Sequence, residues 1–375
     1  MKKYFLVLLF FCFAYPSSVF AQMQPNVTST DMPQEKAYVG RVTNIINEGT
    51  NTYGAISNPY QNLEITILSK EKKGQKIEIE HGKLFTLKED LIVKENEKVV
   101  LLAFQRPDGS TEYAITEKYR LDKLIALTLS FFFLILGLAK FKGLGSILGL
   151  IISFFVIIKW IVPQILAGND PLTATLLGCG VIMASTIFLA HGFNRKTIVA
   201  FGAIIITFFI TGFLSLLFVS MAKISGLGSD DAYSLQLGLG GIVNFKGLFL
   251  SGMIIGTLGV LDDIATSLSA SVFELAKTGH YQSFSKLFAA GFRIGTEHIS
   301  SLVNTLVLAY AGTSLPLMLF IVINPSQKPL WSILNSELIA EEIVRSLVGS
   351  FSLVLAVPIT LVLAAYISLR LRMRK

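Results

Sequence analysis

Long apolar runs separated by short polar segments fill residues 121–375. Each run is long enough to cross the roughly 30 Å hydrocarbon core of a bilayer as a helix. The pattern predicts seven spans, at residues 121–139, 144–166, 172–190, 198–222, 248–268, 299–323 and 343–367. Shorter runs, in which apolar and polar residues alternate, come before them. We therefore expect a polytopic α-helical membrane bundle of about seven transmembrane helices, preceded by a small all-β domain.

The alternating runs lie between residues 22 and 120, and a period of two is typical of half-buried β-strands. Five short strands are predicted, at residues 38–46, 63–68, 76–80, 98–105 and 112–116. Turn residues at Lys73-Gly74 and at 107–110 join them as hairpins. This favours a small barrel or sandwich, with an OB-like barrel among the candidates. His81 has no other metal-ligating residue beside it, so we interpret this domain as a binding or scaffolding module.

The N-terminus has the features of a signal peptide. Lys2 and Lys3 precede apolar residues 4–14, and compact residues lead to Ala21. This arrangement predicts cleavage after about Ala21. The alternative is an uncleaved first helix. In both cases residues 22–120 lie outside the cytoplasm.

The charges in the loops predict the orientation of the spans. Lysine and arginine follow the first, third, fifth and seventh runs: Lys140, Lys142, Arg195, Lys196, Lys277, Lys286, Arg293, Arg370, Arg372, Arg374 and Lys375. The intervening loops, such as 168–171 and 226–234, are poor in both residue types. Positive residues mark cytoplasmic loops. We therefore expect an extracytoplasmic N-terminal domain and a cytoplasmic C-terminus.

Composition supports a membrane protein and argues against other classes. The 375 residues are 52% hydrophobic, with a mean hydropathy of +0.63 and a net charge of +7. Residues 22–121 carry 13 Lys and Arg against 14 Asp and Glu, so the excess charge belongs to the N-terminus and the membrane half. No nucleic-acid partner is indicated. Cys12 and Cys179 both lie in apolar runs, which excludes a disulfide framework or a cysteine-based metal site.

The fifth apolar run carries acids in its second half. Asp262 and Asp263 are adjacent, and Glu274 follows three turns later. Carboxylates at bilayer depth are unfavourable by roughly 2.5–3.5 kcal/mol, so they are expected to face protein or a wet cavity. The alternative is that these acids snorkel to the interface where the helix leaves the membrane. Three glycines on this run predict close approach of another helix: Gly252, Gly256 and Gly259.

The start of the sixth run carries a second polar group. Arg293 and Glu297 are four residues apart and can pair along a helix, while Glu297 shares a face with Asn304 and His298 lies on another face. Three interpretations are open for these residues together with the acids of the fifth run. They form a carboxylate–histidine proton relay, a divalent cation site of unknown metal, or a structural ion-pair cluster in which Arg293 neutralises acids.

An enzyme is not expected. The chain has no HExxH, GxSxG or phosphate-binding loop, and Ser267, Ser269 and Ser271 have no histidine near them in the sequence. Serines on such a helix are typical of helix packing in membranes. No catalytic residue and no cofactor are predicted.

Two long motifs resemble the YibE/F-like family of bacterial membrane proteins. They are GTLGVLDDIATSLSASVFEL at residues 256–275 and GFRIGTEHISSLVNTLVLAYAG at residues 291–312. The early strands and the final run with Val357-Pro358 are also similar. The chain departs from the family pattern at Leu261 and Asp263, so Asp262 is the acid that the resemblance supports. The resemblance implies a multi-spanning permease of the bacterial cell membrane, without a defined substrate.

The sequence therefore predicts a transporter for an unknown small solute or ion. Its site lies between the fifth and sixth runs and uses Asp262, Asp263, Glu274, Arg293, Glu297, His298 and Asn304. Asp262 is expected at the centre, with Glu297 or His298 as its partner. The alternative is a non-transporting assembly or regulatory protein, whose β domain binds a partner and whose acids are structural. Its expected surroundings are the lipid bilayer and either a second copy of the chain or another membrane protein.

Overall fold

A computed structural model describes residues 36–53, 56–82, 87, 91–106, 109–239, 241–323 and 329–372. The predicted signal peptide lies outside these residues. The described chain divides into two compact units, with the division between residues 134 and 135. The first unit contains the strands and residues 121–134, and the second contains the rest of the helical bundle.

The first unit is one antiparallel sheet of five strands. They are β1 (Lys36–Tyr53), β2 (Ile56–Ile67), β3 (Lys76–His81), β4 (Lys98–Gln105) and β5 (Thr111–Lys118). The order across the sheet is β3-β2-β1-β4-β5. All five predicted strands are confirmed, and β1 is much longer than predicted because it pairs with both β2 and β4.

The sheet curls so that its two edge strands, β3 and β5, approach each other within 8 Å at some Cα positions. One face is closed off as a core, in which Val42, Leu63, Ile65 and Leu101 are fully buried. A five-stranded sheet of this order, with its edge strands β3 and β5 close together, is that of an OB-like, partly open barrel.

The second unit is helical. Its helices are α1 (Leu121–Val156), α2 (Val162–Leu166), α3 (Pro171–His191), α4 (Arg195–Met221), α5 (Asp230–Leu239), α6 (Phe245–Lys277), α7 (Phe284–Thr313), α8 (Leu315–Ile323), α9 (Leu330–Leu334) and α10 (Glu337–Arg372). A π-helical turn, Ile157–Ile161, connects α1 to α2. Asp170, Asn194 and Asn244 cap α3, α4 and α6 by accepting from backbone N–H groups, which is the usual role of these residues at helix starts.

Five helical segments are long and apolar enough to cross a membrane within the described residues. The first and second predicted spans fall in one segment, Leu121–Leu166, whose backbone leaves helical geometry at Lys140 (φ 50°, ψ −128°). The predicted sixth span is divided between α7 and α8 and is not among the five. The count of seven spans is therefore not confirmed, although the break at Lys140 lies between the first two predicted spans.

Helix α6 lies at the centre of the bundle and packs against α3, α4, α7 and α10. Leu261, Ile264 and Leu268 on this helix are fully buried. The acids of α6 are therefore carried by a helix that packs against four others.

The closest helix approaches occur at glycines other than those predicted. A Cβ added to Gly145 of α1 would lie 2.1 Å from the carbonyl oxygen of Leu189, and one added to Gly149 would lie 3.2 Å from Cα of Thr186. On α7, a Cβ at Gly295 would lie 2.5 Å from a methyl group of Val357. Small residues at these points allow the backbones to approach closely.

Helix α4 presents a row of hydroxyl groups to its neighbours. Thr207, Thr211 and Ser215 are fully buried, and each donates to the backbone carbonyl four residues earlier in α4, at 2.8–2.9 Å. Hydrogen bonds to other helices lie at the two ends of α4. The Ser269 hydroxyl of α6 donates to the carbonyl of Lys196 at 2.8 Å, and the Glu337 carboxylate of α10 accepts from Ser225 N at 2.6 Å.

Candidate functional site

The two adjacent acids of α6 have different surroundings. Asp263 is exposed and Asp262 is half-buried. Oδ1 of Asp262 is buried and has no hydrogen-bond partner among the described residues. A buried carboxylate oxygen without a donor is unfavourable, so this atom marks a place where a proton, a cation or water would be bound.

Helix α3 brings two further polar side chains to these acids. Thr186 lies next to the Asp262 carboxylate, although its own hydroxyl donates to the carbonyl of Ile182 at 3.0 Å. His191, the last residue of α3, lies within electrostatic range of both Asp263 and Lys142. The imidazole is therefore near an acid of α6 and a cation of α1.

The two acids and His191 border a cavity of about 260 Å³. The cavity is lined by His191, Gly259, Val260, Asp262, Asp263, Thr266 and Leu302. It thus combines residues from the end of α3, the middle of α6 and α7. The predicted third span ends at residue 190, and His191 is not among the predicted site residues.

The polar residues at the start of α7 lie elsewhere. Arg293, Glu297 and His298 line a separate cavity of about 640 Å³, together with Leu275 and Tyr281. Within the described part of the chain, neither Glu297 nor His298 makes a hydrogen bond or ion pair with Asp262, so the structure does not bring the predicted partners together. The predicted Arg293–Glu297 ion pair is also absent from the described ion pairs, and Glu297 and Asn304 are exposed.

Glu274 belongs to the end of α6 and not to the cavity. Its carboxylate pairs with Lys196 of α4 and, at 3.1 Å, with Lys277. Of the three glycines on α6, Gly256 is close to the Tyr310 hydroxyl, 3.2 Å from where a Cβ would be. A Cβ at Gly252 or Gly259 would meet no described atom within 4 Å, so close helix packing does not occur at these two positions.

A second charged network lies near the start of α10, and sequence reasoning missed it. The buried Glu341 accepts from Gly228 N at 2.9 Å, and Glu342 pairs with Arg345 at 3.1 Å. The Arg345 guanidinium lies 5.2 Å from the ring centroid of Phe249 on α6. Three charges at the start of the seventh apolar run were the available signal, since intramembrane charges require partners: Glu341, Glu342 and Arg345.

The cavity beside Asp262 is lined by two carboxylates and one imidazole of the described residues. Within the described residues, no group of three or more His, Cys, Asp or Glu side chains could hold a metal ion. Two carboxylates and an imidazole beside a small cavity are, in contrast, the usual components of an intramembrane proton path.

The model of the YibE/F-like protein family matches residues 127–370. This match covers the helical unit from α1 to α10, including both motifs that carry the resemblance. No curated protein and no solved structure matches the chain. Because the family match spans more than half of its length, the chain belongs to the YibE/F-like protein family.

Proposed function

We propose that this membrane protein is a permease in which Asp262 is the central ion-binding group. The observation that carries the proposal is the buried, unpartnered Oδ1 of Asp262 beside a cavity that Asp263 and His191 also line. Intramembrane acids that face a cavity mark ion or substrate pathways in membrane proteins. The family match and the five apolar helices support a membrane location.

The side chains suggest how an ion moves. A proton or small cation binds at Asp262, where Oδ1 has no competing donor among the described residues. The exposed Asp263 and the imidazole of His191 provide the next acceptors on the open side of the cavity. Histidine changes charge near neutral pH, so this group is suited to pass protons between the cavity and the solvent. A transported solute would be coupled to that movement.

The structural ion-pair interpretation receives less support. Among the described residues Asp262 forms no ion pair, and Arg293, the cation proposed to neutralise it, lines a different cavity. A charge without a partner does not stabilise packing, because its burial is not offset by Coulomb attraction.

The test is Asp262→Asn, which keeps the shape of the side chain and removes its charge. We expect proton flux into reconstituted vesicles to be lost after an imposed pH step, with the melting temperature maintained or increased. Glu274→Gln is the matched control: it changes an acid of the same helix whose partners are Lys196 and Lys277, and it should keep the flux. The flux is followed with a pH-sensitive dye inside the vesicles, and the measurement is repeated with sodium and potassium gradients.

Unchanged flux in Asp262→Asn would refute the proposed site. If the wild-type protein shows no flux and Asp262→Asn loses much of its stability, a structural role for Asp262 is favoured instead. Loss of flux in both variants would place the function outside the cavity.

The β unit favours a second function, which is binding of a partner or ligand. This function corresponds to the assembly or regulatory alternative. A cavity of about 510 Å³ opens between β3 and β5 and is lined by residues of both strands, including His81 and Tyr113. We propose that this opening binds a partner or ligand of the exported domain. Isothermal titration of the β unit with candidate ligands would test it, and a Tyr113→Ala variant that binds equally well would contradict it.

The proposed orientation follows from the loop charges. The β unit faces outward and the end of α10 faces the cytoplasm. A reporter that is active only outside the cytoplasm should be active when fused after Arg120 and inactive when fused after Lys375. The opposite pattern would reverse the proposed orientation.

A further inference from the structure

A cavity of about 540 Å³ lies at one end of the helical bundle. It is lined by residues from the start of α4 and from the last turns of α6 and α10. All three helices belong to the five segments that are long and apolar enough to span a membrane. Because one end of each helix meets the others at this cavity, the cavity belongs to the level of the membrane surface and not of the hydrocarbon core.

The charged side chains that line this cavity, called the basic cavity here, are all positive. Arg195 and Lys196 come from the first turn of α4, and Lys277 comes from the last turn of α6. No acid is among its lining residues in the described part of the chain. A concave surface with cations of three side chains and no acid attracts anions.

Glu274, which does not line the basic cavity, brings two of its cations together. The ammonium groups of Lys196 and Lys277 both contact the same oxygen, Oε1 of Glu274, so they lie close to each other. The exposed Arg195 makes no hydrogen bond or ion pair with any described residue. One carboxylate thus faces three cations, and an excess of two positive charges remains for an anion that is not part of the described chain.

The other lining side chains suit a lipid. Phe273, Ala276 and Leu371 line the same cavity, so apolar carbon lies beside the cations. The volume is within the roughly 300–1,000 Å³ that is usual for small-molecule sites. Inorganic phosphate would use only the charges of such a site, whereas a phospholipid also places its glycerol and first acyl carbons against apolar side chains.

We propose that the basic cavity binds the headgroup of an anionic phospholipid through its phosphate. Arg195 donates two parallel N–H bonds to the phosphate oxygens, because the guanidinium fork matches phosphate geometry, while Lys196 and Lys277 act as point charges. Basic pockets between membrane helices are a recurrent headgroup site on the cytoplasmic side, and the proposed orientation gives this end of the bundle to that side. The binding is independent of ion movement at Asp262, because its tests measure lipid affinity alone.

The first experiment measures which probe stabilises the full-length protein in a neutral detergent. A molecule that binds only the folded state raises the melting temperature. Phosphatidylglycerol should do so, whereas phosphatidylcholine with the same acyl chains and inorganic phosphate should not. An equal increase with phosphatidylcholine would show that the negative charge is not recognised. An equal increase with inorganic phosphate would assign the cavity to a soluble anion, and either result would overturn the proposal.

The second experiment locates the binding by neutralising one cation at a time. Arg195→Gln should raise the phosphatidylglycerol concentration needed for half-maximal stabilisation about fivefold. Lys286→Gln is the matched control, because Lys286 is an exposed cation near the start of α7, on the same side of the bundle, and does not line the basic cavity. It should leave that concentration unchanged. Equal weakening in both variants would indicate general surface charge and refute the site, as would wild-type affinity in Arg195→Gln.

A conservative variant separates loss of the phosphate contact from damage to the fold. Arg195→Lys keeps the charge but not the paired donors, so its affinity for phosphatidylglycerol should lie between those of the wild type and Arg195→Gln. Without lipid, all three proteins should melt at the same temperature, because Arg195 has no described partner to lose. A lower melting temperature of both variants in the absence of lipid would assign Arg195 to the packing of the bundle and contradict the proposal.

Discussion

The contact between Gly145 of α1 and α3 allows a sharp test of how the site is held. A Cβ at Gly145 would be 2.1 Å from the carbonyl oxygen of Leu189 and 2.8 Å from its carbonyl carbon, whereas ordinary contact begins at 3.4 Å. These are backbone atoms and cannot rotate away. Gly145→Ala must therefore push α1 and α3 apart over the last turns of α3, which carry Thr186 and His191.

The expected loss of stability combines two terms. Overpacking of a tight core costs about 1–3 kcal/mol, and the better helix propensity of alanine offsets about 0.5–1 kcal/mol. A net loss of about 1–2 kcal/mol corresponds to a decrease in melting temperature of roughly 2–8 °C for a unit of this size. The melting temperature is read from the fraction of protein that stays monodisperse in detergent after heating.

Gly180→Ala is the matched control, because a Cβ at this position on α3 would meet nothing within 4 Å. It should keep or slightly raise the melting temperature. In Gly145→Ala the proton flux should also decrease, since the cavity depends on where α3 places His191. Equal melting temperatures for the two variants would refute the inferred contact. A lower melting temperature for Gly145→Ala with unchanged proton flux would show that this packing contact does not control the cavity.

Two further predictions concern buried polar groups. Glu341→Ala should lower the melting temperature in detergent, because the lost bond from Gly228 N involves a charged acceptor worth about 1.5–3 kcal/mol; an unchanged value would show that water replaces it. His81 of the β unit is buried and contacts the carbonyl oxygen of Leu91 at 3.1 Å. Burial lowers the pKa of His81 below 6.5. As the pH decreases, the His81 imidazole is therefore protonated in the unfolded chain before it is protonated in the folded one. The stability of the β unit should fall as the pH decreases from 6.5 towards the pKa of His81 in the folded state. Chemical denaturation across this range measures the effect, and His81→Gln should remove it.

The strands and most helices could be predicted because their signals are local. Alternation along β3 and β4 comes from the burial of every second side chain, and that pattern needs no knowledge of distant residues. The number of spans could not be predicted with the same success. Two helices meet at the non-helical Lys140, between the first two predicted spans, yet residues 121–166 count as one segment. The exposed polar face of α7 reduces its hydropathy although it packs against α10.

The candidate site shows a similar limit. Periodicity along α6 identified the stripe that contains Asp262, since residues on one helix have a fixed angular relation. It could not indicate which other helix faces that stripe. Glu297 is closer in sequence than His191, but the crossing of α3 and α6 brings the imidazole to the cavity. Likewise, the motif spacing of Gly252, Gly256 and Gly259 resembles that of Gly145 and Gly149, and only the packing distinguishes them.

The hydroxyl row of α4 has a mechanical consequence. Thr207, Thr211 and Ser215 use their protons within their own helix, so these three hydroxyls donate no hydrogen bond to a neighbouring helix among the described residues. Its register is instead fixed at its two ends, by Lys196 on one side and by Ser225, beyond its last turn, on the other. A helix held in this way can rock or slide by small amounts at low cost in its middle. Changes in the ionic contacts at its ends would then act as the controls on its position.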